Sequence, residues 1–211
     1  ANTHELQPAN SRVVKMAKMS SVIGVLMGAL ATAMATFIPS RFSIGAALSS
    51  LGISLPAGDV LLGNADYTCS LLNRVFSKNE TFTMTSPYYS VFIDEAWSQN
   101  CRLNASCVVT PKSAQEVSRL LQILGILETK FAIRSGGHNI NPGFSSIGRH
   151  GVLVALEKLN TIFLSADRGT VTVGPGNRWG AVYKYLQPYN VTVLGGREVD
   201  VGVGGYILGG E

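Results

Sequence analysis

Apolar and polar positions in the second half of the chain fall into short blocks that can be read one element at a time. Val108-Val109-Thr110-Pro111 predicts a short strand ended by a proline, which has no backbone donor for a ladder. Ser113-Ala114-Gln115-Glu116 has the form of a capping box, with the serine capping the helix and the glutamate reaching back. Val117, Leu120, Leu121 and Leu124 follow at helical spacing and predict a helix to about Glu128. Phe131-Ala132-Ile133 predicts the next strand. The run Val152 to Leu156, bounded by Gly151 and a charged pair, predicts a buried one. Val171-Thr172-Val173 predicts a further strand that stops at Gly174-Pro175-Gly176. Trp179 to Leu186 predicts a short helix and Val191 to Leu194 another strand. Helices mixed with strands in this order predict an α+β fold, with an α/β sheet as the variant.

The first half carries a different pattern. Arg12, Lys15 and Lys18 precede an apolar stretch from Val22 to Ile38 that ends in small residues. A basic start, short apolar middle and small-residue exit describe a secretory signal peptide; a signal anchor over 22–38 is the alternative. No methionine precedes Met16, so the first residues are expected to be upstream sequence. Phe42 to Leu62 is mildly apolar and is expected to be the mature start or a poorly defined N-terminal arm. Three parts result: 1–38, 39–99 and 100–211. Sequons at Asn79, Asn104 and Asn190 agree with a secreted glycoprotein. Cys69, Cys101 and Cys107 are the only cysteines, so one pair can form in an oxidising compartment. No cysteine–histidine spacing suggests a metal site.

Composition narrows the function classes. Hydrophobic residues make up 46% and charged residues 14% of the 211 positions, which excludes a disordered chain. The net charge is +4, with lysine and arginine scattered, so nucleic acid is not an expected partner. Of 23 glycines, 16 lie between Gly136 and Gly210. Thirteen of them cluster in three loops that follow strands: Ser135 to Gly143, Gly174 to Gly180 and Gly195 to Gly210. Such density suits loops wrapped around a large phosphate-bearing cofactor, since backbone without Cβ can approach a ligand closely. The first loop, Arg134-Ser135-Gly136-Gly137-His138-Asn139, adds positive charge and a histidine able to touch a ligand. Other motifs fail. Gly174 to Gly180 has one residue too many for a dinucleotide fingerprint, although its place between a strand and a helix keeps a variant Rossmann turn as a rival. No P-loop or nucleophile elbow is present.

These residues resemble a known family. Cys107 to Val117 is similar to the opening of the PCMH-type flavin-binding domain of the vanillyl-alcohol oxidase and p-cresol methylhydroxylase family. Phe131 to Asn139 resembles its diphosphate loop, and Thr170 to Gly180 and Leu194 to Gly205 resemble two further segments in the same order. The likeness is strongest to secreted berberine-bridge-enzyme-like oxidases and covers about residues 100 to 211.

The resemblance implies FAD as cofactor, with His138 bonded to its 8α-methyl carbon. It implies that Arg134, Ser135, Gly136, Gly137 and Asn139 cradle the pyrophosphate. Gly174, Gly176, Gly195, Gly196, Val201, Gly202, Gly204 and Gly205 would line the rest of the channel. Some members carry a second link from a cysteine; Glu198 stands at that position here, so one covalent link is expected at most. A Cys69–Cys107 pair is implied, with Cys101 left over. The implied chemistry is oxidation of an alcohol, sugar or related small molecule by hydride transfer to flavin, with dioxygen as acceptor. No residue is assigned as catalytic base; Tyr183, Tyr185 and Tyr206 are expected to pack in the core. The chain is expected to be a fragment without its substrate domain. A non-catalytic secreted remnant and an NAD-type Rossmann domain are the alternatives. No membrane partner is expected once the signal segment is removed.

Overall fold

The computed structural model describes residues 41–55, 58–77 and 79–209. The expected signal segment, 22–38, lies outside them. The first helix among the described residues, α1 (Arg41–Ser50), comes from the segment expected to be the mature start or a poorly defined N-terminal arm. The second alternative is corrected: Ile44 and Leu48 are buried in the main core. Helix α2 (Ala65–Val75) begins where the Asn64 side chain accepts from the Tyr67 N–H, an N-cap of the ordinary kind. Strand β1 (Thr81–Thr83) and helix α3 (Tyr89–Asp94) follow.

Strand β2 (Cys107–Val109) leads into helix α4 (Ala114–Ile126) at the predicted cap. The Ser113 side chain accepts from the Glu116 N–H at 3.1 Å. The Glu116 carboxylate reaches one residue further back than the box predicts and accepts from the Lys112 N–H at 2.6 Å. Strands β3 (Lys130–Arg134) and β4 (Gly151–Ala155) complete a sheet of order β1-β2-β4-β3. β1 runs antiparallel to β2, and β4 runs parallel to both β2 and β3. Helices α1, α2 and α4 cover one face, meeting Cys107, Val109, Val152 and Val154. Helix α3 covers the other with Tyr89, Phe92 and Ile93, meeting Val108, Leu153 and Ala155. β4 is therefore buried on both faces, as its unbroken apolar run predicts. A disulfide joins Cys69 of α2 to Cys107 of β2, and Cys101 is free and buried.

A second, two-stranded sheet pairs β5 (Ile162–Leu164) with β6 (Val171–Val173) as an antiparallel hairpin. Helix α5 (Trp179–Leu186) packs on it. The turn between β6 and α5 thus leaves an antiparallel hairpin, whereas a Rossmann turn leaves a parallel sheet, so the dinucleotide rival loses its structural context.

Two expectations fail here. Val191 to Leu194 is not a strand. The alternation is real, with Val191 and Val193 packed against the cluster around α5 and Leu194 in solvent, but no strand among the described residues pairs with the segment. Residues Val203–Gly209, expected as loop, form helix α6. Glycine costs about 1 kcal/mol relative to alanine in a helix. Tertiary contacts offset it: the Val203 N–H bonds the Asn177 carbonyl at 2.9 Å, and the Tyr206 ring meets Trp179 edge-on at 5.2 Å. No helix among the described residues is long and apolar enough to cross a membrane.

Candidate functional site

The Gly-Gly-His loop leaves the C-terminal end of β3, the place where ligands of sheet domains usually sit. It meets the segment 201–205 at very close range. A Cβ on Gly136 would overlap the backbone nitrogen and Cα of Gly202, and one on Gly202 would overlap Gly136 in return. Only two glycines allow these backbones to cross. The Ser135 hydroxyl donates to the Pro175 carbonyl at 2.6 Å, so the Gly174–Gly176 turn is drawn to the same point. Gly137 holds φ +74°, a left-handed conformation that turns the chain before His138.

These loops border an open cleft of about 740 Å3, within the range of cofactor pockets. Of the predicted residues, Ser135, Gly136, Gly137, His138, Asn139, Val201, Gly202, Gly204 and Gly205 line it. Gly195 and Gly196, with Val201 again, line a neighbouring cavity of about 470 Å3 beside Glu198 and Tyr206. Tyr206 borders both cavities while packing edge-on against Trp179, as expected of a core ring. Gly174 and Gly176 do not line the cleft: a Cβ on either would overlap a backbone carbonyl, of Leu159 and Leu156 respectively, and Pro175 between them faces the cleft instead.

Arg134 is the clearest departure from expectation. Its side chain is 3% exposed, donates to the Phe92 carbonyl and pairs with Glu95 at 3.3 Å. The guanidinium is directed into the protein below the loop and is not among the groups lining the cleft. Burial pulls its pKa down, while Glu95 and Glu157 push it back up. Glu157, just past β4, completes this cluster. Burial first, and then Glu95, push its carboxyl up to about 7 against the pull of Arg134. Sequence reasoning missed Glu95 and Glu157 because they lie 39 and 23 positions from Arg134 in chain segments without a motif. It also missed Phe144, Ser145 and Leu156 of the cleft wall.

The site is a cradle rather than a catalytic constellation. Gly136, Gly137, Gly202, Gly204 and Gly205 bring backbone without side chains to the cleft wall, the kind of surface on which N–H groups can meet a phosphate. Ile133, Phe144, Leu156 and Leu208 supply an apolar wall suited to a flat ring system. His138 is the one imidazole facing this space among the described residues. No group of three or more metal-ligating side chains occurs among them. A large phosphate-bearing aromatic cofactor therefore fits the cradle.

Comparison with known proteins agrees. Residues 105–211 match the model of the FAD binding domain. The FAD-dependent monooxygenase macF of Penicillium terrestre is 76% identical over 196 residues, covering 92% of this chain and 38% of that protein. The FAD-dependent monooxygenase yanF of Aspergillus niger is 58% identical, covering 93% of this chain and 33% of that protein. The chain thus spans about a third of the length of these curated relatives. Among solved structures, wild-type BBE-like 1 of Physcomitrella patens superposes with a TM-score of 0.53 at 28% identity, over 59% of this chain and 27% of that one. BBE-like #28 of Arabidopsis thaliana shares the fold with a TM-score of 0.55 at 21% identity, over 60% of this chain and 27% of that one. A loop cradle of the expected kind and a family match over more than half of its residues lead to one conclusion: the chain belongs to the FAD binding domain family, in its PCMH-type, berberine-bridge-enzyme-like branch, whose cofactor is FAD.

Proposed function

We propose that this chain forms part of an FAD-linked oxidoreductase and holds its flavin through a single covalent bond from His138. The observation that carries this is the meeting of Ser135–Asn139 with Val201–Gly205 around one cleft, with His138 on its wall. The backbone of those two segments would hold the pyrophosphate. With Arg134 turned inward, its role becomes that of a buried support for the loop. Glu198 beside the neighbouring cavity cannot form a thioether, which keeps the link to one. Such a link would replace a methyl C–H and the imidazole N–H by a C–N bond, and the two hydrogens with two electrons would pass to dioxygen as hydrogen peroxide.

The protein would oxidise an alcohol, sugar or related small molecule by hydride transfer to flavin, with dioxygen regenerating the oxidised cofactor. A second reading, monooxygenation, is favoured by the names of the relatives from Penicillium terrestre and Aspergillus niger. The two differ in the fate of oxygen. An oxidase releases hydrogen peroxide and leaves no label in product under ¹⁸O₂; a monooxygenase places one ¹⁸O in product and the other in water. Flavin itself is tested first: yellow protein whose colour stays in the pellet after acid precipitation supports the covalent link, and a colourless folded protein contradicts it.

Export is proposed from the basic-apolar segment ending at Ile38. The Cys69–Cys107 disulfide and the exposure of Asn79, Asn104 and Asn190 are consistent with it. A shift to lower mass on treatment with an N-glycosidase would support it; an unglycosylated protein with an intact leader would contradict it.

A further inference from the structure

Residues 95–101 run beside the Gly-Gly-His loop and touch it at four successive places. Glu95 pairs with Arg134 at 3.3 Å. The Trp97 N–H donates to the Gly137 carbonyl at 3.1 Å. The Trp97 indole stacks on the His138 imidazole, with centroids 5.6 Å apart and planes 26° apart. The Cys101 thiol donates to the Asn139 carbonyl at 3.3 Å. The strip is itself pinned, since Arg102 Nε donates to the Ala96 carbonyl at 3.3 Å. Three of these contacts hold the loop backbone or its base. Only the indole acts on the imidazole.

Trp97 is otherwise unexplained. It is 62% exposed and belongs to none of the three core clusters, so burial does not account for a large aromatic ring at this point. His138 lines the cleft, and Trp97, stacked on it, does not. A stacked ring restricts the imidazole's rotation about its side-chain bonds while leaving its nitrogen edges uncovered. A nucleophile held in one orientation reacts faster than one that must find it.

We propose that Trp97 is a positioning residue for flavin attachment: it fixes the plane of His138 so that a ring nitrogen faces the flavin methyl group. The proposal rests on the covalent reading above. It assigns Trp97 no part in holding FAD and no part in substrate oxidation.

The test uses the full-length protein prepared free of flavin, then mixed with FAD. Total bound flavin and acid-stable flavin are followed separately in wild type, Trp97→Ala and Trp97→Phe. Trp97→Ala is expected to bind FAD normally but to form acid-stable flavin about tenfold more slowly, with Trp97→Phe restoring most of the rate. In proton NMR of the flavin-free protein, the His138 ring signals should carry a ring-current shift that is lost in Trp97→Ala and kept in Trp97→Phe. Attachment in Trp97→Ala at the wild-type rate overturns the proposal and leaves the covalent reading standing. Equal loss of bound and acid-stable flavin in both variants, with a lowered melting temperature, also overturns it, because that is a structural defect. A wild type that binds FAD yet never forms acid-stable flavin overturns the covalent reading and this proposal together.

Discussion

Around β4 the side chains are sealed: Val152, Val154, Leu120 and Ile123 are all at 0% exposure, and a disulfide crosses the same layer. Around α5 the covering is thinner. Trp179, Val182, Leu186 and Val203 are buried, but Tyr183, Val191, Val193, Val201 and Tyr206 are only partly so. The sealed region is held by apolar area, which needs no partner. The thinner region is held by backbone contacts between glycine loops and by rings packed on Trp179. The cleft lies where the two meet, with Ser135–Asn139 from the sealed side and Val201–Gly205 from the other. A cofactor bound there touches both, so FAD should stabilise the thinner region more than the sealed one.

The largest expected effect breaks the sealed side. Replacing both Cys69 and Cys107 by serine opens a crosslink over a separation of 38 residues, which should cost about 4 kcal/mol. Denaturant midpoints should fall accordingly, while FAD uptake below the transition is retained. Gly202→Ala attacks the joint instead. Its Cβ must push Gly136 away, at a cost of about 2 kcal/mol. Here retention of FAD should fall more than stability does, the reverse of the disulfide variant. Equal losses of FAD in both variants would erase the distinction between the regions.

A smaller effect depends on pH. The Glu157 carboxyl is raised from 4.5 to about 7, so the folded protein keeps a proton that the unfolded chain releases. Its stabilising share is complete below the unfolded value and is lost as pH rises through about 7. Allowing for partial solvent screening, the loss is on the order of 1 kcal/mol. Glu157→Gln should flatten melting temperature between pH 5 and pH 8; an unchanged slope would remove Glu157 as its source. The smallest effect is Tyr183→Phe, which removes the 2.8 Å hydrogen bond to the Gly196 carbonyl. It should cost about 0.5 kcal/mol and act only on the thinner side.

The sealed region was the more legible of the two in sequence. The capping serine, the helical spacing of Leu120 and Leu124 and the unbroken run at β4 are local patterns, and local physics decides them. Helix α1 escaped because its apolar residues do not by themselves say that they bury against α4. In the thinner region local patterns misled. The alternation at Val191–Leu194 was correct but lacked a partner strand, and the glycines of α6 were overruled by contacts with Trp179 and Asn177. The cleft itself was half legible. Its glycines and His138 stand in recognisable loops, but the inward turn of Arg134 depends on Phe92, Glu95 and Glu157, which no spacing connects to it. Gly174 and Gly176 resembled cofactor contacts, although the close approach they permit is to neighbouring backbone.

The most direct test is mass spectrometry of the tryptic peptide from Ser135 to Arg149, the only one that contains His138. In the full-length protein isolated with its flavin, this peptide should carry one FAD-derived adduct, located at His138 by fragmentation and absent from His138→Ala. A wild-type peptide found wholly unmodified in yellow protein, or an adduct located on any other residue, would contradict His138 as the anchor.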